Sequence, residues 1–353
     1  MASGITTAPS STSSSMTDIA GTLESHRKEE LQVPRQHSTQ LLSSRPTLPQ
    51  QLVALHYYFS FAVYWVLIWY VCHIWFFSDR DSERAEWPSP LKNWGIWRHM
   101  AAYFNARIVK TADLDPSKPY LFCYHPHAIL SFSAWLTFGT NATGFNKLFP
   151  SLDVRLLTLK INFKSPLWRN YLLLHGVCDV GRRACLNILS RGKSIAIVIG
   201  GGSESLLSSP GTNDIVLRRR QGFVRIALRT GASLVPVYAF GETGTYSTLT
   251  SLPPNSWMRR LQSSMLKAWG WTLPIYWGRG LFLPWGMVAH PVQLTTVIGA
   301  PIEVPKYQGD LHSAEFHALV DKYHAIYTQA LTKLFDEHKD KYAKGERDLR
   351  IVE

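Results

Sequence analysis

Hydrophobic and polar positions divide the chain into three regimes. The opening MASGITTAPSSTSSSMT is dense in Ser and Thr. Residues 1 to 48 therefore offer too little apolar surface to offset the entropy of ordering, and read as a disordered tail. No apolar signal-peptide core lies near the start, and Gly4 is not at the second position that a myristoylation signal requires. Leu52 to Phe77 then runs for 26 residues without a formally charged side chain. As a helix rising about 1.5 Å per residue it would reach roughly 39 Å, longer than a hydrocarbon core of about 30 Å. This is the pattern of a membrane element, either one tilted span or a re-entrant hairpin. A buried core helix is the bland alternative, and such helices are usually shorter and less uniformly apolar.

Further along, the period changes repeatedly. Pro119 to Tyr124, Ser194 to Gly200 and Ser233 to Phe240 read as strands, and Gly222 to Thr230 has helical spacing between the last two. Strand, crossover helix, strand implies a parallel sheet in an α/β domain. Gly231 is placed to stop the helix. Phe316, Leu319, Val320, Tyr323, Ile326, Tyr327, Ala330, Leu331 and Leu334 recur at helical spacing and predict a long packing helix. Between sheet and helix, Asn255 to Gly286 interleaves Trp257, Trp269, Trp271, Trp277 and Trp285 with Arg259, Arg260, Lys267 and Arg279. That mixture suits a membrane interface, and a Trp-rich core segment is the competing reading.

Charge narrows the choice of partner. Lys and Arg outnumber Asp and Glu by 37 to 25, a formal net charge of +12. The positive charge is spread along the chain and accompanies no nucleic-acid-reading motif, so membrane lipids fit better than nucleic acid. The 4 cysteines show no CxxC spacing, which argues against a disulfide framework and for a reducing compartment. Arg80, Arg84 and Lys92 follow the apolar segment and slightly outnumber Arg35 and Arg45 before it, favouring a cytosolic main body. Asn141-Ala142-Thr143 is a glycosylation sequon that reports on that topology.

The candidate chemistry begins at Leu121 to Trp135, LFCYHPHAILSFSAW. On an extended strand Cys123, His125 and His127 share one face, which makes a metal site conceivable, but the chain offers no second HxH, HExxH or CxxC to complete it. A pair of structurally satisfied histidines is a second reading. The third is a general base: a histidine of ordinary pKa near about 6.5 takes a proton from an alcohol at neutral pH. Pro126 restricts the backbone between the rings, and the apolar run Ala128 to Phe138 would border an acyl-chain slot. Glu204, in VIGGGSESL, is the best carboxylate to orient an imidazole. Gly200, Gly201 and Gly202 let backbone N–H groups approach an anion, and a flexible turn is the alternative. Arg218, Arg219, Arg220 and Arg225, around Gly222, suit phosphate, with a solvated basic face as the alternative.

With these residues in place, the sequence resembles the type 2 diacylglycerol acyltransferase family, which includes monoacylglycerol and wax-alcohol acyltransferases. The matching blocks are YHPH at Tyr124 to His127, SPLWRNYLLLHG at Ser165 to Gly176, IGGGSES at Ile199 to Ser205, LRRRQGFVRIAL at Leu217 to Leu228, GASLVPVYAFGE at Gly231 to Glu242 and VIGAPIEVP at Val297 to Pro305. The resemblance implies an acyltransferase domain over residues 95 to 345 with a glycerolipid-acyltransferase-like α/β fold, its mixed or parallel sheet flanked by helices. It implies transfer of a fatty acyl group from acyl-coenzyme A, a co-substrate rather than a cofactor, to diacylglycerol at the endoplasmic reticulum or a lipid droplet. His127 is then the expected base, His125 the second choice and Glu204 the ring orienter. Pro126, Gly200 to Gly202, Arg218 to Arg220, Gly222 and Arg225 are expected to bind substrate, the arginines holding coenzyme A phosphates. The residue after the second histidine is typically Gly in that family and is Ala128 here, which leaves a monoacylglycerol or long-chain alcohol acceptor, or a non-catalytic lipid-droplet protein, as alternatives. The His-x4-Asp pattern of the related phosphate-bearing acceptors is missing, since Leu130 and Phe132 stand where the Asp would be.

Overall fold

The computed structural model describes residues 47–76, 79–87, 89–250, 252–253, 255–280 and 282–352. The tail expected over residues 1 to 48 lies outside them except for its last two residues. The charge-free stretch forms one uninterrupted helix, Leu48–Phe76, rather than two segments joined by a turn. Its apolar side chains run all round, and only Ile74 is buried. Among the described residues it is the one helix long and apolar enough to cross a membrane. The chain divides into two compact units, residues 1–68 and 69–353, so the last two turns of this helix belong to the second unit.

The second unit is built on strands β1 (Arg107–Lys110), β2 (Tyr120–His125), β3 (Val154–Thr158), β4 (Cys178–Asp179), β5 (Ser194–Val198), β6 (Asn213–Ile215), β7 (Ser233–Phe240), β8 (Ser247–Thr248), β9 (Tyr276–Trp277), β10 (Thr295–Ile298) and β11 (Leu349–Ile351). Seven of them form one sheet in the order β1-β10-β7-β2-β5-β3-β4. β2 runs parallel to both β5 and β7, while β10 is antiparallel to β7, so the sheet is mixed. The predicted helix forms over Gly222–Thr230, and Gly231 ends it at φ 77° with its N–H on the Ala227 carbonyl at 2.7 Å.

Alternation along β2 separates two cores. Leu121 and Cys123 pack with Cys185, Ile188, Val224, Ala227, Val320, Tyr327 and Leu331, side chains of the helices Arg182–Leu189, Gly222–Thr230 and Ala314–Tyr342. Tyr120, Phe122 and Tyr124 pack on the other face with Phe138, Phe145, Phe149 and Leu172. Helices thus cover one face and an aromatic layer the other, the layering that buries a two-faced sheet. Because Tyr124 pairs with Val198, the residues after β2 and after β5 leave the sheet side by side at its carboxyl edge.

Gly241, just after β7, has φ 85°, and a Cβ there would lie 2.2 Å from the Gln293 carbonyl oxygen. Gly192 also has a positive φ, 74°, but faces open space. Gly192→Ala should therefore cost only about 1 kcal/mol of conformational strain. Gly241→Ala, which adds a backbone clash, should cost about 3 kcal/mol or more and lower the apparent melting temperature visibly further in the same detergent.

Candidate active site

β2 delivers the two histidines to different places. The strand ends at His125, whose ring is fully buried beside Tyr327 at 6.2 Å and whose two nitrogens have no hydrogen-bond partner among the described residues. Burial pushes its pKa down to about 3. His127 lies beyond the strand, so the one-face alternation expected for Cys123, His125 and His127 does not reach it. It is half-buried and lines a cavity of about 600 Å³. Burial lowers the His127 pKa, partly opposed by its hydrogen bond to the backbone. Its Nδ1 lies 3.0 Å from the Ala128 carbonyl oxygen. A carbonyl only accepts, so Nδ1 is assigned the proton and Nε2 keeps its lone pair.

Two buried carboxylates hold the turn that carries this ring. Glu204 accepts the His127 backbone N–H on Oε1 and the Val216 N–H on Oε2 at 2.9 Å. The sequence reading made Glu204 the orienter of an imidazole; its carboxylate instead grips the backbone, and positions the ring only through the chain. Glu242 does the same from the far end, accepting Phe132 N–H at 2.6 Å, Ser133 N–H at 2.9 Å and the Tyr124 hydroxyl at 2.9 Å. Between them the Ser131 hydroxyl donates to the His127 carbonyl at 2.6 Å. Burial raises both carboxyl pKa values, Glu204 to about 7. Ala128 sits at φ 46°, the left-handed region where glycine is the least strained residue, and this turn aims its carbonyl at the ring.

The cavity wall is mostly apolar. Trp135, Tyr171 and Trp168 form a stack, with ring centroids 5.9 and 5.0 Å apart and interplanar angles of 12° and 18°. Ile129 and Phe132, from the apolar run after the histidines, also line it, and Asn162 donates to Thr158 at 2.8 Å among the few polar lining groups. Gly201 and Gly202 face the cavity where a short helix, Gly201–Ser205, follows β5. Gly200 leaves room for Glu204, since a Cβ there would fall 1.9 Å from Oε2. Gly202 admits the backbone of Gly270 and Trp271, each about 3.3 Å from where a Cβ would sit. The arrangement places the His127 ring against a mostly apolar cavity, which is compatible with transfer to an alcohol.

A family model described as diacylglycerol acyltransferase matches residues 56–352. The chain belongs to that family. Among its relatives, diacylglycerol O-acyltransferase 2A of Umbelopsis ramanniana is 43% identical over 82% of this chain and 79% of its own length. Diacylglycerol O-acyltransferase 2 of Danio rerio is 40% identical over 82% and 80%, and that of Homo sapiens 40% identical over 79% and 71%. In a solved structure, the 1-acyl-sn-glycerophosphate acyltransferase of Thermotoga maritima, the match covers 80% of this chain and 96% of that one at 11% identity and a TM-score of 0.38.

In this acyltransferase the expected arginine group is divided. Arg218 and Arg219 are exposed. Arg220 instead reaches back to the glycine turn, donating to the Gly200 carbonyl at 3.3 Å and the Ser203 hydroxyl at 3.0 Å. Arg225 packs on Phe316 and lies 3.2 Å from His317 Nδ1, so it serves the long C-terminal helix. Gly222, expected among the substrate-binding residues, is exposed at the start of its helix. Glu242, Tyr171 and Trp168 were not singled out from sequence. An acid one glycine beyond the apolar strand Ser233–Phe240 is the available signal for Glu242.

Glu204 takes up a proton as pH falls through about 7, and a protonated carboxyl offers one good acceptor to two backbone donors. The kcat/KM of the enzyme should therefore fall below about pH 7. In Glu204→Gln, where an amide NH2 faces an N–H, activity should drop about ten-fold or more and lose that limb. The remaining limb should be that of His127, which burial moves below the ordinary imidazole range. An unaltered profile would return Glu204 to a purely architectural role.

Proposed function

We propose that this chain transfers a fatty acyl group from acyl-coenzyme A to the free hydroxyl of a diacylglycerol, making triacylglycerol, with His127 as the general base. The observation that carries the reading is the combination at His127: a lone pair on Nε2, a depressed pKa that keeps the ring neutral, and an apolar cavity in front of it. Nε2 takes the hydroxyl proton as the oxygen attacks the thioester carbonyl. The C–O bond forms, the C–S bond breaks, and the imidazolium returns its proton to the departing coenzyme A thiolate. Backbone N–H groups at Gly201 and Gly202 are our choice to stabilise the oxyanion between those steps. The exposed Arg218 and Arg219 meet coenzyme A phosphates. We place the enzyme in the endoplasmic reticulum membrane or on lipid droplets with this domain in the cytosol, in keeping with the apolar helix and the net charge; Asn141 should then carry no glycan.

His125 is the weaker choice, because a ring with a pKa of about 3 is a poor proton acceptor at neutral pH. His127→Ala should lower kcat by about 10²- to 10⁴-fold with diacylglycerol binding retained. His125→Phe should act on stability and leave the pH profile in place. Labelled acyl-coenzyme A supplied with a panel of diacylglycerol, monoacylglycerol and fatty alcohol reads both variants, and label in another ester would change the acceptor while keeping the base. Full activity in His127→Ala would sink the assignment.

The arginines make a separate prediction. Arg218→Ala with Arg219→Ala should raise the KM for acyl-coenzyme A by roughly ten-fold and leave kcat close to wild type, an effect that shrinks as salt is added. A change confined to kcat would remove them from coenzyme A binding.

A further inference from the structure

Three of the residues that line the His127 cavity also meet solvent: Leu130, Trp168 and Trp271 are 51%, 47% and 36% exposed. The mouth therefore has an apolar rim. Leu167, beside Trp168, is 77% exposed and stands at the apex of a γ-turn, with φ 63° and ψ −49° and the Trp168 N–H on the Pro166 carbonyl at 2.7 Å. This is a rare and strained backbone for a leucine, and the side chain gains no packing in return. Leu273, next to the lining residue Thr272, is exposed as well.

The residues on either side of Leu167 and Trp168 hold the end of the apolar helix. Asn170 donates to the Tyr70 hydroxyl at 2.9 Å, and the Lys164 ammonium meets the Trp75 carbonyl at 2.9 Å and that of Ile74 at 3.4 Å, where a helix C-terminus favours a cation. The cavity mouth thus lies next to the end of the one candidate membrane helix among the described residues. Another part of the wall comes from the chain that follows the helix Trp257–Trp269. That helix turns Trp257 and Leu261 outward with Arg260 and Lys267 alongside them. Aromatic rings flanked by cations fit the headgroup level of a phospholipid leaflet.

We infer that the mouth of the His127 cavity rests on the bilayer where the apolar helix leaves it, so that the lipid alcohol enters sideways from the leaflet, across the Leu130, Trp168 and Trp271 rim. The identity of that alcohol rests on the proposed function; the contact with lipid does not. The membrane supplies what the exposed leucines lack, an apolar neighbour, and the surrounding cations supply its phosphates with partners.

The test uses the full chain in phosphatidylcholine vesicles. With Cys72→Ser the three remaining cysteines are buried, so Leu167→Cys or Leu273→Cys takes a single environment-sensitive label. Lys333→Cys, on the exposed face of the C-terminal helix, serves as the control. The rim labels should be quenched by spin-labelled acyl chains and protected from aqueous iodide, and the control the reverse. Iodide quenching of the rim labels, or protection from both quenchers as a protein partner would give, would overturn the inference. The readout needs no catalysis, so it stands or falls apart from the assignment of His127.

An activity readout completes it. Leu167→Asp with Leu273→Asp should lose about ten-fold or more of transfer to long-chain diacylglycerol held in vesicles. Transfer to a dispersed short-chain diacylglycerol, which needs no passage from the leaflet, should change by no more than about two-fold. Equal loss on both acceptors, or none on either, would overturn the lateral route.

Discussion

The structure around the histidine turn depends on one buried carboxylate. Glu204 sits in a place where charge is costly, as its raised pKa of about 7 records, and both of its oxygens are committed to backbone N–H groups. Those donors belong to segments distant in sequence, one after β2 and one after β6. Hydrogen bonds to an ionised acceptor contribute about 1.5–3 kcal/mol each, enough to offset part of the desolvation. The carboxylate therefore fixes where His127 stands without touching its ring, and three consecutive glycines shape the turn from which it reaches. Gly200 clears space for the carboxylate, Gly201 takes φ 58° and Gly202 lets another segment approach.

Glu242 completes the device. With the turn clamped at His127 by one acid and at Phe132 and Ser133 by the other, the chain between has little freedom, and the hydroxyl of Ser131 ties it to the His127 carbonyl. Both acids reach the turn from the carboxyl edge of parallel strands, Glu204 from the helix after β5 and Glu242 after β7. The register of β2 with its two neighbours is therefore what brings the two acids and His127 together. The left-handed Ala128 lies inside this clamp, its strain held by bonds on either side. Its carbonyl receives the proton-bearing Nδ1 and so decides which nitrogen faces the cavity.

Much of this frame was legible in sequence where period and chemistry agreed. Ser233 to Phe240 and Gly222 to Thr230 form over the residues that alternation and helical spacing assign, because a long apolar strand and an amphipathic helix leave few alternatives. The two histidines and Glu204 were also visible, as a charge-bearing turn at a strand end. What sequence could not give is direction. Alternation assigned His125 and His127 to one face, but the strand ends at the first and leaves the second free to turn toward the cavity. Likewise Arg220 looks no different from Arg218 in sequence, yet it serves the glycine turn while Arg218 and Arg219 face solvent. Glu242 and the Trp135–Tyr171–Trp168 stack were missed because they act through residues distant in sequence, which only the packed sheet brings near.

The division between the two histidines has a physical logic. An imidazole buried without hydrogen-bond partners is held neutral so firmly that it cannot accept a proton at useful pH, and His125, whose nitrogens meet none among the described residues, is in that position. An imidazole in open water would be an adequate base, but the thioester beside it would be exposed to hydrolysis. His127 stands between these limits, with enough burial to stay neutral at pH 7, one nitrogen saturated by a carbonyl, and the other facing a space that favours hydrocarbon over water. Under the proposed function, a mostly apolar cavity suits an acceptor that arrives already dissolved in lipid, and the apolar rim beside the end of the candidate membrane helix is where such an acceptor would be met. The proposed chemistry and the proposed route of entry thus rest on the same exclusion of water.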